Sequence, residues 1–179
     1  MVQSVELLLD PHLDAQVRAQ WAALLAAGVD SQGRIRSETN RPHVTLFVAG
    51  SIPADLDAAV RDACFDSVRD ACFESVPVTL GGLVVFGGRH ATLARLVVPS
   101  TALLAVHARV FGALGQCPGI PEHIRPHGWT PHVTLARRVP AGSMGTAVVA
   151  AHRSEGDSIG SATGMRRWDG TAKREWRLV

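Results

Sequence analysis

The sequence predicts a mixed helix-and-strand fold of two lobes related by internal pseudo-symmetry, and three observations lead to it. Short apolar runs that fit buried strands alternate with stretches of helical period. The order strand, helix, motif strand, helix, strands occurs in each half of the chain. One pentapeptide, Pro-His-Val-Thr-Leu, stands at 42–46 and again at 131–135. With 179 residues and 46% hydrophobic content the chain has enough apolar side chains for a full core. Its length favours one two-lobed domain over 1–179, and no stretch marks an interdomain linker.

The elements follow in order. Ser4 to Leu9 is an apolar run of strand length. Pro11 opens a helix in which Leu13, Val17, Trp21, Leu24 and Leu25 recur at helical spacing, and Gly28 ends it. Polar residues from Asp30 to Asn40 form a loop, and His43 to Val48 a strand stopped by Gly50. Residues 61–68, Arg-Asp-Ala-Cys-Phe-Asp-Ser-Val, are repeated at once at 69–76 with one conservative change, Asp to Glu. On a helix this eight-residue step turns about 80° beyond two full turns, so both copies show nearly the same face. The segment therefore reads as a lengthened surface helix. Val76 to Phe86 and Ala91 to Val98 read as strands joined through Gly87 to His90. Ser100 or Thr101 caps a helix carrying Leu103, Leu104, Val106, Val110 and Leu114, with His107 at its surface or boundary. Pro118 to Gly128 is a loop and His132 to Leu135 a strand. Ala147 to His152 is a short helix, and Ser158 to Met165 and Glu175 to Val179 are closing strands.

Composition narrows the function. A net charge of +2 is compatible with an anionic substrate and far from the basic stripe of a protein that grips duplex nucleic acid. The first residues lack the basic start and apolar run of a signal peptide, and no stretch reaches the roughly 20 apolar residues of a membrane span. A cytoplasmic protein without membrane attachment, and a monomer, is expected. Cys64, Cys72 and Cys117 are an odd set without CxxC spacing, which argues against disulfides and thiolate zinc. Cys117, His123 and His127 are irregularly spaced among prolines and read as loop. Gly81-Gly82 and Gly87-Gly88 lack the Lys-Ser/Thr of a phosphate loop, and no Gly-x-Ser-x-Gly elbow is present.

The repeated pentapeptide carries the chemistry. On a strand alternate side chains share a face, so His43 and Thr45 point one way while Val44 and Leu46 anchor the strand in its core. The second lobe offers His132 and Thr134 in the same way. Two imidazoles facing each other across a phosphate-sized gap form a general acid–base pair, since histidine titrates near neutrality. The two threonine hydroxyls suit the non-bridging oxygens of a phosphoryl group. One His-x-Thr on a strand is ordinary; two in equal local context, one per half, point to function. Among aromatic residues, Phe47, Phe86 and Trp129 are candidates to stack on a substrate base, and Phe47 shares the strand face of His43 and Thr45.

In these paired motifs the chain resembles the two-histidine (2H) phosphoesterase superfamily, and within it the 2′-5′ RNA ligase-like, or RNA 2′,3′-cyclic phosphodiesterase, branch. The residues that carry the resemblance are Arg41 to Leu46 and Trp129 to Arg137, with looser likeness over Val5 to Gly28, around Phe86-Gly87-Gly88 and after Ser100. The resemblance implies an α+β fold with antiparallel sheets and outer helices around a central cleft. It implies catalysis without metal or cofactor, with His43 as proton donor and His132 as acceptor. It also implies an arginine after the second motif that helps hold substrate. Arg137 stands there, although strict alternation turns it away from His132 and Thr134 unless the strand bulges. The expected reaction is hydrolysis of a 2′,3′-cyclic phosphate on an RNA end or nucleotide to a 2′-phosphomonoester. The alternatives are a cyclic phosphodiesterase for a metabolite such as ADP-ribose cyclic phosphate, and a nucleotide-binding module without turnover.

Overall fold

The computed structural model describes residues 2–64, 75–87, 90–152 and 156–179. Strand β1 (Gln3–Leu9) is buried along most of its length, as its apolar run requires. Helix α1 (Pro11–Ala26) starts where Asp10 accepts a hydrogen bond from the Leu13 amide at 2.8 Å and Pro11 occupies the first turn. Its buried stripe is Leu13, Val17, Trp21 and Leu24; Leu25 lies off the stripe and is partly exposed. Strand β2 (His43–Ala49) and helix α2 (Leu56–Cys64) follow. Residues 65–74, most of the tandem duplication, lie outside the described residues.

Strands β3 (Val76–Phe86) and β4 (His90–Val97) precede helix α3 (Thr101–Leu114), whose first turn is capped by the Ser100 hydroxyl at 3.1 Å from the Leu103 amide. Strand β5 (His132–Pro140), helix α4 (Met144–Ala151), and strands β6 (Ser158–Asp169) and β7 (Arg174–Arg177) complete the chain. Both long loops contain a single turn of 3-10 helix, at Gln32–Arg34 and Glu122–Ile124. His107, expected at a surface or boundary, is only 1% exposed, because Trp129 stacks flat on it and its Nε2 meets the Ile124 carbonyl at 3.0 Å.

The strands pair antiparallel in the order β2-β1-β6-β3-β4-β5, with β7 beside β6. The order is the same from either end if β1 exchanges with β4, β2 with β5 and β3 with β6. That is the predicted pseudo-symmetry, with an axis between β3 and β6. The two expected sheets run into one there, because residues 158–162 of β6 pair with 76–80 of β3. Both motif strands thus stand at outer ends of the hydrogen-bonded order. Helix α1 packs on α4 and β5, and α3 on α2 and β2. Each half lends its first helix to the motif strand of the other half, so the lobes interlock around one core.

Candidate active site

The two motif strands are built alike down to an irregularity. In β2 the pairing with β1 steps from Glu6↔Thr45 to Val5↔Phe47, leaving Leu46 as an extra residue. In β5 the pairing with β4 steps from Ala94↔Thr134 to Leu93↔Ala136, leaving Leu135 extra. Such a bulge reverses the alternation beyond it. Residues Leu46-Phe47 and Leu135-Ala136 are consequently buried in succession, and the following positions, Val48 and Arg137, return to the face of the histidine and threonine.

This step corrects one expectation and resolves another. Phe47 does not share the histidine's face: it is fully buried, edge-on to Phe111 at 5.9 Å between centroids, and offers no stacking surface. Arg137 is turned toward the cleft, where it lines a narrow recess with Trp21, Gln32, Asn40, Arg41, His43 and Thr134. Phe86 lies against the His132 ring at 4.6 Å. Trp129 is half-buried on His107, and its indole N–H donates to the Thr45 carbonyl at 3.0 Å. The indole of Trp21 donates likewise to the Thr134 carbonyl at 3.0 Å. Each motif threonine is thereby held through its backbone by an indole, one from α1 and one from the loop before β5.

The histidines are tethered identically. Nδ1 of His43 lies 2.6 Å from the Arg41 carbonyl, and Nδ1 of His132 lies 2.7 Å from the Thr130 carbonyl. A carbonyl only accepts, so Nδ1 carries the proton in both rings and Nε2 is the nitrogen left to exchange one. Around them the halves diverge. Beside His43 lies a polar cluster centred on Glu6 and Arg166, each 4% exposed. Glu6 accepts from Arg166 Nε at 2.7 Å and from the Ser4 hydroxyl at 2.6 Å, and its Oε1 lies 3.6 Å from His43 Nε2. Arg166 also pairs with Glu175, which Arg41 approaches at 3.8 Å. Burial alone raises the Glu6 carboxyl, but His43, Arg166 and the Ser4 hydrogen bond together hold it below its ordinary range.

His132 meets the Phe86 ring and positively charged neighbours instead. Burial lowers its proton affinity, the neighbouring Arg137, His43 and His123 lower it further, and the Thr130 carbonyl opposes them only in part. Ser4, Glu6, Arg166 and Glu175 are not among the residues that sequence reasoning singled out. The signal for Glu6 is nonetheless present: a charge in the middle of the apolar run Val5-Glu6-Leu7-Leu8-Leu9 must find a partner once that strand is buried. Among the described residues no cluster of three or more His, Cys, Asp or Glu side chains is arranged to hold a metal ion. Nor is any helix among them long and apolar enough to cross a membrane.

The model of the 2′-5′ RNA ligase superfamily matches residues 10–159. No curated protein matches the chain in sequence. Among solved structures, Kluyveromyces marxianus Usb1 superposes with a TM-score of 0.61 at 14% identity, over 99% of this chain and 97% of that one. Escherichia coli LigT, complexed with 3′-AMP, gives 0.57 at 16% identity over 98% and 92%. The Thermus thermophilus protein TT0787 gives 0.52 at 17% identity over 100% and 96%. At these identities the structural likeness speaks for the fold.

Proposed function

The chain belongs to the 2′-5′ RNA ligase superfamily, the two-histidine phosphoesterases, and from that premise we propose that it hydrolyses 2′,3′-cyclic phosphodiesters on RNA ends or nucleotides. The observation that carries this is the pair of His-x-Thr strands, each with Nδ1 committed to a backbone carbonyl and Nε2 left for proton transfer. In the proposed reaction His132 Nε2 takes a proton from water as the water oxygen attacks phosphorus. The bond from phosphorus to the ribose 3′ oxygen breaks, and His43 Nε2 delivers its proton to that oxygen. The product is a 2′-phosphomonoester with a free 3′ hydroxyl, and proton exchange with solvent resets the two rings. The hydroxyls of Thr45 and Thr134 hold the non-bridging oxygens, and Arg137 adds a positive charge to the same recess. No metal ion or cofactor enters these steps.

The test is turnover of a 2′,3′-cyclic nucleotide in the presence of a chelator. The wild type is expected to form the 2′-phosphate, and His43→Ala and His132→Ala each to lose about 10²- to 10⁴-fold in kcat. Activity that vanishes with chelator and returns with a divalent ion contradicts the proposal. A metabolite substrate such as ADP-ribose cyclic phosphate is favoured by one feature: Arg41, which also reaches Glu175 at 3.8 Å, borders the recess with Arg137, so two guanidinium groups face a substrate that carries more than one phosphate. Comparing that compound with a cyclic mononucleotide and a cyclic-ended oligonucleotide separates the readings. The ligand of E. coli LigT, 3′-AMP, agrees with nucleotide chemistry in this fold.

A further inference from the structure

We infer that Glu6 is the counter-ion of His43, a positioning residue whose charge decides which of the two identical motifs supplies the proton. Glu6 is withdrawn from solvent with Arg166, whose guanidinium it shares with Glu175, while Arg41 reaches Glu175 from the more exposed side at 3.8 Å. The carboxylate turned to His43 is Glu6, whose Oε1 is 3.6 Å from His43 Nε2. In a site withdrawn from water this charge attracts a positive ring strongly. Arg166 Nη2 also comes within 3.5 Å of His43 Nδ1, but that guanidinium is bound by both carboxylates, and Nδ1 is turned to the Arg41 carbonyl. The remaining charged groups around His43 are Arg41 on the loop before it and, across the cleft on β5, His132 and Arg137.

The other half has no such group at the matching place. Glu6 stands opposite Thr45 in the sheet and Arg166 stands opposite Glu6. By the pseudo-symmetry the corresponding residues are Ala94, opposite Thr134, and Val84, opposite Ala94. Ala94 is fully buried and brings no carboxylate to His132, as Glu6 does to His43. Identical pentapeptides are made unlike by one position in the neighbouring strand. The kinetic consequence rests on the phosphodiesterase reading above; the coupling of Glu6 to His43 does not.

Two measurements test it. Ring ¹⁵N resonances of the unaltered protein are expected to show His132 losing its proton at lower pH than His43. In Glu6→Gln, which keeps the shape and, with its amide oxygen toward Arg166, leaves its NH2 to donate to the Ser4 hydroxyl, the His43 midpoint is expected to move down by about one pH unit, with a smaller change at His132. The alkaline limb of kcat/KM moves with it, so activity at pH 8 falls about tenfold and activity at pH 6 changes little. A folded Glu6→Gln protein with an unmoved His43 midpoint overturns the inference, as does the reverse order of titration in the unaltered protein, which needs no variant to fold. If the midpoint moves but no cyclic phosphate is turned over, the coupling stands and the phosphodiesterase reading falls.

Discussion

His43 and His132 hold their imidazoles by the same bond, Nδ1–H to the carbonyl two residues back, and meet different neighbours. The one sits beside a buried carboxylate; the other sits among Phe86, Arg137 and the apolar wall of its lobe. Arg137 belongs to the same contrast, since the residue at its place in the first motif strand is Val48. Only the second motif therefore brings a cation to the cleft by way of the bulge. Replacing Arg137 with Ala removes a charge-assisted contact of about 1.5–3 kcal/mol, so KM is expected to rise roughly 10- to 150-fold. Arg138→Ala, one position past the cleft face, is expected to leave KM within about twofold, measured on the same substrate. The repeat in the sequence points to both histidines and both threonines, and Arg137 follows from it only where the strand bulges. Arg166 does not follow from it, because its bond to Glu6 joins residues 160 apart in sequence.

Among the elements, the motif strands show how one extra residue redistributes function. Strict alternation puts Phe47 on the face of His43 and Arg137 on the face away from His132; the bulges at Leu46 and Leu135 reverse both placements. A bulge is a pairing between strands, so the strand's own sequence does not announce it. The helices and caps were easier to read, since Pro11, Gly28 and Ser100 act on the residues next to them. The indole contacts are tertiary, and helical spacing shows Trp21 only as a core position of α1, which it is, at 3% exposure. Its N–H, however, holds the second motif, 113 residues away. Trp21→Phe keeps an aromatic ring but loses the second ring of the indole and that donor, leaving the Thr134 carbonyl without it at a cost of about 1 kcal/mol beyond the lost packing. The expected result is a several-fold fall in kcat with KM nearly unchanged, since the hydroxyl of Thr134 loses its alignment while substrate binding keeps its other contacts. An equal loss in both parameters, or none, contradicts that role.

The whole molecule is a pseudo-symmetric scaffold that departs from symmetry around the two motif histidines. Its lobes share one sheet through β3 and β6 and exchange first helices, which fixes the distance between the motif strands as firmly as the core fixes anything. A buried pair, Arg167 with Asp57 at 2.6 Å, ties β6 to α2, and Trp176 of β7 donates to the other Asp57 oxygen at 2.7 Å. This anchor holds the helix that leads into the tandem duplication. The repeat of strand and helix order in the sequence revealed the symmetry. The exchange of helices and the joining of the sheets depend on which faces meet, and a single sequence does not state that.

The most direct test of the account is the pH dependence of kcat/KM on a 2′,3′-cyclic nucleotide for the wild type, His43→Ala and His132→Ala, all in chelator. The base must be neutral to act, and burial lowers the proton affinity of His132, so the wild-type acid limb is expected on the acid side of the ordinary histidine value of about 6.5. The residual activity of His132→Ala is expected to lack that acid limb, and that of His43→Ala to lack the alkaline limb. Limbs lost in the opposite order contradict the assignment of base and acid, and both limbs surviving in both variants contradicts the two-histidine mechanism itself.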